Sequence, residues 1–249
     1  MDKLVHCHVH TEHSFLDGLS TVDQLIDRVV SLDQEAVAVT DHGEVSGHLR
    51  LQRAADKAGI KPIFGMEGYF TDDRRVKEGK KGQNYDHMTV IALNDKGLEN
   101  LWALSSRAYI EGLYYGNPRF DWELLQEYQE GLIVTGGCMG GCIGKFLNDD
   151  DYNISKAIER ISRYQAIFGD RFHLELHTYL SEESNAWNEK IVKIAQEYSV
   201  PLLSVSDAHY AKPEDWYAHE LMTAIQMGKN MSDPDRFSYG PNQLCIFSE

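Results

Sequence analysis

The chain has little cysteine for its 249 residues, and none of it is arranged in pairs: Cys7, Cys138, Cys142 and Cys245 form no CxxC motif. Such sparse thiols offer no disulfide framework and fit a reducing cytoplasm. No apolar run reaches membrane-spanning length and no signal-peptide pattern precedes the first apolar stretch, so a cytoplasmic protein with no membrane partner is expected. Positive charge is also scarce. Lys and Arg number 24 against 39 Asp and Glu, a formal net charge of -15, and the chain lacks the overall basic footprint of a protein that grips duplex DNA by its backbone. No GxSxG elbow, GxxxxGK[ST] phosphate loop or Rossmann fingerprint occurs, which removes the motif-based readings of a covalent serine hydrolase, a P-loop enzyme and a dinucleotide enzyme. No repeat, low-complexity tract or internal linker is visible. A hydrophobic fraction of 42% supports a real core, and the length suits one barrel.

What the chain does have is histidine beside acid. In LVHCHVHTEHSFLDG, His6, His8 and His10 alternate and Asp17 follows. Alternate residues of a strand share a face, so these imidazoles are placed to point one way. Seven apolar runs read as strands: 4–9, 36–40, 62–70 (with a possible break at Gly65), 88–93, 132–135, 172–176 and 202–205. Amphipathic helical patterns start near Ser20 and run near 47–58, 98–109, 155–168 and 183–198. This alternation predicts βα units and a parallel sheet.

Polar groups recur after the strands. Asp41 and His42 follow one, Cys138 another, Asp207 and His209 the last. Functional groups at the carboxyl ends of many strands favour a closed barrel over an open sheet with one crevice. His87 is the exception, because it precedes its strand. The final stretch, 231–249, is expected to pack on the barrel as an extension or to lead onward.

His8, His10, Asp17, His42, Glu67, His87, Cys138, Asp207 and His209 make nine candidate metal ligands. One divalent ion needs about four to six, so nine suggest two or three ions. The donor set suits zinc, iron or manganese. Closely spaced ions lower the pKa of a water to about 7 and stabilise attacking and leaving oxygens in phosphoryl hydrolysis. Hydrolysis by an activated water, with no protein nucleophile, is the economical chemistry. Glu67 lies in apolar FGMEGYF, where an unpaired carboxylate would be costly. Asp41 reads as a group orienting a ligand histidine, or as a cap. Cys138 sits in the turn TGGCMGG, although small buried thiols are common in cores. Glu175 and His177, ending a strand, are candidate supporting or substrate contacts. His6 is an outer cluster member or a packed imidazole. His13 and His48 are expected at the surface, Cys7 and Cys142 are expected to be inert, and the Trp and Tyr residues of WALSSRAYIEGLYY are expected mostly to serve core and interface packing. Arg53, Arg107 and Lys145 are weak candidates for substrate binding. Arg74, Arg75, Lys77, Lys80 and Lys81 form a basic stretch, an ordinary solvated loop or a contact to a substrate backbone.

The segments HVHTEHSFLDG, VAVTDHGEVSG, GIKPIFGMEGYF, DHMTVIALNDKGLENL, TGGCMGG and VSDAHY together resemble the PHP (polymerase and histidinol phosphatase) family, most closely the amino-terminal PHP domain of bacterial DNA polymerase III alpha subunits. They span about residues 4–230. The resemblance implies an α/β fold, a distorted (β/α)7 TIM-like barrel, over residues 1–230, with 231–249 an extension or the start of a polymerase region. It implies a trinuclear metal centre on the nine candidate ligands, and a 3′–5′ exonuclease acting on a single-stranded or mismatched DNA 3′ end. Replicative polymerase domains or subunits are the implied partners. Two other activities remain open: a phosphatase of small monoesters, as in histidinol phosphatases, and a non-catalytic structural domain. The palm, fingers and thumb of such polymerases are absent from the sequence.

Overall fold

The computed structural model describes residues 4–80, 84–148, 153–178 and 181–248. The chain divides into two compact units. Unit 1 comprises Met1–Phe64, Thr178–Leu180 and Val205–Glu249; unit 2 comprises Gly65–His177 and Ser181–Ser204.

Unit 1 is built around α1 (Val22–Ser31), β1 (Ala36–Val39), α2 (His48–Ala58), the first residues of β2 (Lys61–Phe70) and a late helix, α7 (Trp216–Gln226). Thr21 caps α1, its hydroxyl accepting from Gln24 N while the Gln24 side chain answers the Thr21 N–H, so two otherwise orphaned donors are satisfied. The helix buries Val22, Leu25, Ile26 and Val29 against Val9, Val37, Val39, Leu51 and Ile246. Each such side chain contributes about 1.5–3 kcal/mol by leaving water. β1 pairs with β2 in parallel, Ala36 opposite Lys61 through Val39 opposite Phe64. The first segment makes isolated bridges rather than a regular strand: His6 to Val37 and Val9 to Ala208, both parallel. Leu244, Cys245 and Ile246 are buried in this unit, and Tyr210 bridges to Cys245.

Unit 2 carries the rest of β2, then β3 (Asp86–Ala92), α3 (Asp95–Gly112), β4 (Leu113–Tyr114), β5 (Asn117–Phe120) and α4 (Trp122–Glu127). β6 (Leu132–Thr135), α5 (Ile154–Phe168), β7 (Phe172–His177), α6 (Glu182–Tyr198) and β8 (Leu202–Val205) follow, β8 giving its last residue to unit 1. The strand order is β4-β5-β2-β3-β6-β7-β8. The helical patterns and most strand patterns read from the sequence lie within two or three residues of these bounds, and β2 runs through Gly65 without a break.

The sheet is mixed, not parallel as the βα alternation predicts. β6 and β7 are parallel and β2 and β5 are parallel, but β3 is antiparallel to both β2 and β6. The reason is the connection. Parallel neighbours need a crossover, usually a helix, whereas among the described residues between β2 and β3 there is no helix, which suits antiparallel pairing. This direction accounts for His87. It lies inside β3 and opposite Tyr69, near the carboxyl end of β2. An amino-terminal position on a reversed strand is thus equivalent to a carboxyl-terminal position on its neighbours.

Candidate metal centre

In unit 1 three sequence-distant segments deliver imidazoles and carboxylates to one place. His8 and His10 come from the opening segment, which is pinned when His10 N donates to Ala208 O and Ala208 N donates to His8 O. Asp207 and His209 flank Ala208 after β8, Asp207 with a left-handed backbone (φ 48°), a conformation a non-glycine residue holds only when its surroundings enforce it. Asp17 sits in the turn after the opening segment. Its neighbour Gly18 lies so close to Thr11 that a Cβ would fall 2.0 Å from the Thr11 carbonyl oxygen, so only glycine lets this turn fold back.

His8 Nε2 and His10 Nε2 each stand 3.3 Å from Asp207 Oδ1. Asp17 Oδ2 is 2.8 Å from His42 Nε2 and 3.1 Å from His209 Nε2. The His10 ring stacks on His42 and lies beside His209, both centroids 4.4 Å away. Ligand atoms of His10, Asp17, His42 and His209 all lie within 4.8 Å of one another, as do those of His8, His10 and Asp207. His8, His10 and His209 are buried.

The electrostatics follow from this crowding. Burial alone would raise the Asp17 and Asp207 carboxyls, but the facing imidazoles outweigh it and hold both well below the usual carboxylate range. Burial would lower His209, yet Asp17 and Asp207 push it up to about 9. The site therefore gathers negative charge that calls for a cation. Buried imidazole nitrogens interleaved with carboxylate oxygens fit a divalent transition metal, and these residues are suited to hold one.

Hydrogen bonds orient the rings. His209 Nδ1 donates to the Asp207 carbonyl oxygen at 2.7 Å. His10 Nδ1 lies 3.0 Å from Ser14 Oγ, and Ser14 Oγ donates to Asp41 Oδ1 at 2.7 Å. Because the hydroxyl proton goes to Asp41, His10 Nδ1–H is the donor to Ser14. Both rings thus turn Nε2 toward the carboxylates. Asp41 is buried and also accepts from Thr11 N at 2.6 Å and Thr11 Oγ1 at 2.8 Å. Ser14, which joins Asp41 to His10, is not singled out by the sequence, since a lone serine carries no distinguishing signal. His6 is a packed imidazole rather than a cluster member: its nitrogens meet Ser206 Oγ at 2.8 Å and the Phe247 carbonyl at 3.1 Å. His48, expected at the surface, is buried against Phe64, because its place at the start of α2 faces the core.

Unit 2 holds the remaining candidates. His87 Nδ1 is 3.0 Å from Glu67 Oε1, and Tyr85 stacks parallel to His87. Cys138 is half-buried in the turn after β6. That turn leans on β3: a Cβ on Gly137, which has φ +70°, would meet the His87 carbonyl oxygen at 2.5 Å, and Cys142 N donates to the same oxygen. Glu175 is buried and accepts from Thr89 Oγ1 at 2.8 Å and Thr135 Oγ1 at 2.5 Å, with His177 Nε2 3.0 Å from its other oxygen.

The weak substrate-binding candidates are scattered. Arg53 is exposed on α2. Arg107 pairs with Glu111 and Glu127, and Lys145 with Asp86. In the basic stretch, Arg74 is buried on Asp121 and Glu111 and Arg75 pairs with Asp73 and Glu123; Lys81 lies outside the described residues. Trp102 and Tyr109 of α3 are exposed, while Leu101, Leu104, Ser105 and Ala108 face the core.

A family model of the PHP domain matches residues 6–179. The chain belongs to the PHP domain family. This PHP chain is 40% identical over 236 residues to DNA polymerase III subunit alpha of Aquifex aeolicus (strain VF5), across 92% of its own length and 20% of that protein's. It is 37% identical over 249 residues to the same subunit of Treponema pallidum (strain Nichols), across 99% and 21%. It thus spans about one fifth of the length of these curated relatives. Among solved structures, a Bifidobacterium adolescentis protein provisionally named a metal-dependent phosphoesterase aligns with a TM-score of 0.52 at 16% identity, over 84% of this chain and 89% of that one. That likeness is one of fold. The clustered donors of unit 1 are consistent with a PHP-type metal-dependent phosphoesterase. Among the described residues no helix is long and apolar enough to cross a membrane.

Proposed function

We propose that this PHP domain hydrolyses phosphodiesters with bound divalent metal ions, as a 3′–5′ exonuclease that removes nucleotides from single-stranded or mismatched DNA ends during replication. The observation that carries the reading is the meeting of His8, His10, His42 and His209 with Asp17 and Asp207 in unit 1. Glu67, His87 and Cys138 complete the proposed ligand set. Two or three ions of zinc, manganese or iron would, when bound, lower the pKa of a water to about 7 and neutralise charge developing on the phosphate.

The chain's own part is to fix the donors. His10 is oriented by Ser14 and Asp41, and His209 by the Asp207 backbone. Asp41, Glu175 and His177 are proposed to support the site, and Arg53, Arg107 and Lys145 to assist in binding substrate. An unpaired DNA end enters a pocket at less cost than a stacked one, which biases removal toward mismatches. The polymerase subunits that share this sequence support a replication setting, with polymerase domains or subunits as partners and a cytoplasmic location. Closure of the strands into a distorted (β/α)7 barrel belongs to the same reading.

The test couples elemental analysis of the purified protein to cleavage of DNA labelled at defined 3′ and 5′ ends, with and without Mn²⁺, Zn²⁺ or Fe²⁺. Stepwise loss from the 3′ end, faster at a mismatch and abolished in His8→Ala/His10→Ala, is expected. Hydrolysis of monophosphates alone would establish a small-molecule phosphatase instead. Stable folding with metal bound and no hydrolysis of either class would establish a structural domain.

A further inference from the structure

Two clefts of unit 2 share a wall made of Lys145 and Arg160. The first, about 340 Å³, is lined by these two together with Lys156, Arg163, Phe146 and Trp122, and by the carboxylates Asp72 and Glu159. The second, about 430 Å³, continues on the other side of the shared wall to Tyr85. Tyr85 stacks parallel on His87, 5.6 Å between centroids, and His87 is a proposed metal ligand. The second cleft also carries Arg119 and the carboxylates Asp72, Asp73, Glu78 and Asp86, and Tyr85 is the residue that joins it to His87.

In the first cleft four cations face two carboxylates, an excess of positive charge in a protein that is acidic as a whole. Lys156, Arg160 and Arg163 stand at i, i+4 and i+7 of α5, one face of a helix. Asp86 is shared by Lys145 and Arg160, so one buried carboxylate holds two cations. Lys156 and Arg163 are exposed and, among the described residues, meet no carboxylate. They lie against rings instead: the Arg163 guanidinium is 4.0 Å from the Trp122 centroid, and Lys145, Lys156 and Arg160 surround Phe146 at 4.9, 5.9 and 5.0 Å. A guanidinium stacked by its face keeps its N–H edges for a phosphate. Cationic grooves with interleaved aromatics are the physical recipe for single-stranded nucleic acid, phosphates on the cations and bases on the rings.

We propose that the first of these clefts holds the backbone of a single-stranded DNA, with phosphates on Lys145, Lys156, Arg160 and Arg163 and a base against Phe146. The choice of DNA rests on the nuclease reading; the charge and shape of the cleft do not. A site of this kind leaves the net charge of -15 compatible with a polyanionic substrate, because contacts inside a cleft act at distances shorter than the Debye length of about 10 Å at 0.1 M salt.

The test measures binding without hydrolysis. Fluorescence anisotropy of labelled dT12 on the 249-residue chain in EDTA should show saturable binding that weakens with salt. Lys156→Gln/Arg163→Gln should weaken it about tenfold or more and reduce the slope of log K against log salt by about 1.4, since each lost single-strand phosphate contact accounts for about 0.7. Phe146→Leu should weaken binding with the salt slope unchanged, the signature of a lost stacking platform. Metal content and thermal midpoint of the exposed double variant should match the parent, showing that folding and the metal centre are intact. Parent-like dT12 binding by the double variant would overturn the proposal, as would equal displacement of dT12 by a polyglutamate peptide of matched charge. DNA cleavage with no cleft-dependent binding would overturn the cleft and leave the nuclease reading; cleft-dependent binding with no cleavage would do the reverse.

Discussion

Ser14 connects a buried carboxylate to a buried imidazole. Its hydroxyl donates to Asp41 and accepts from His10 Nδ1, so one oxygen decides which His10 nitrogen faces Asp207. Partners of this kind tune metal affinity by about 10–100-fold. Ser14→Ala is expected to weaken zinc binding by that factor in chelator competition, while His13→Ala, which removes a part-exposed ring bonded to Ser46, is expected to leave it unchanged. The ligand candidates themselves were legible, because histidine and acid at the ends of apolar runs are chemically conspicuous. Ser14 was not, because a hydroxyl has no pattern until the turn brings Asp41 and His10 to it. Cysteine makes the complementary point. Cys142 is completely buried, and burial, opposed by Arg160, pushes its thiol up to about 12. Its thiolate fraction at pH 8 is then about 10⁻⁴, and the thiolate is the reactive form. In the folded protein Cys142 should resist iodoacetamide at pH 8 and react once urea unfolds the chain, as read by mass spectrometry of the labelled peptides; rapid native labelling would contradict its buried place.

At the scale of elements, apolar periodicity reports which face is buried, not which neighbour covers it. That is why α1, α2, α5 and α6 were readable while the direction of β3 was not. Nothing in 86–92 distinguishes a parallel from an antiparallel strand; the connection before it does. The short hairpin β4–β5 and helix α4 also escaped, since two to six residues give too few periods to recognise. In α3 the packing selected Leu101, Leu104 and Ala108 for the core and left Trp102 and Tyr109 outside it. Where local chemistry specified an element, its worth can be measured. Thr21 supplies the cap of α1 and half of its reciprocal pair with Gln24. Thr21→Ala is expected to lower unfolding stability by about 1 kcal/mol, with Thr21→Ser close to the parent, in urea titrations. An unchanged midpoint for the alanine variant would mean that the buried face of α1 fixes the helix start unaided.

At the scale of the molecule, the donors of unit 1 come from residues 8–17, 42 and 207–209, so a bound cation ties both ends of the sequence together. Without one, the carboxylates of half-buried Asp17 and buried Asp207 face imidazoles, and charge is gathered where desolvation is costly. A metal that binds the folded state and not the unfolded one adds about 2.7 kcal/mol at a hundredfold excess over its dissociation constant, which for a chain of this size is about 5–11 °C in thermal midpoint. EDTA should therefore lower the midpoint by that order and Mn²⁺ or Zn²⁺ restore it, and His8→Ala/His10→Ala should melt at one temperature in both conditions. Hydrogen exchange gives the same event a location. On chelation, amides of 8–20 and 205–211 should lose protection before those of β3 and β6, because the first two segments are joined by the donors and one isolated bridge with a few backbone hydrogen bonds, the last two by a regular backbone ladder. A uniform loss across both units would mean that the cation supports the whole fold rather than the junction of these segments.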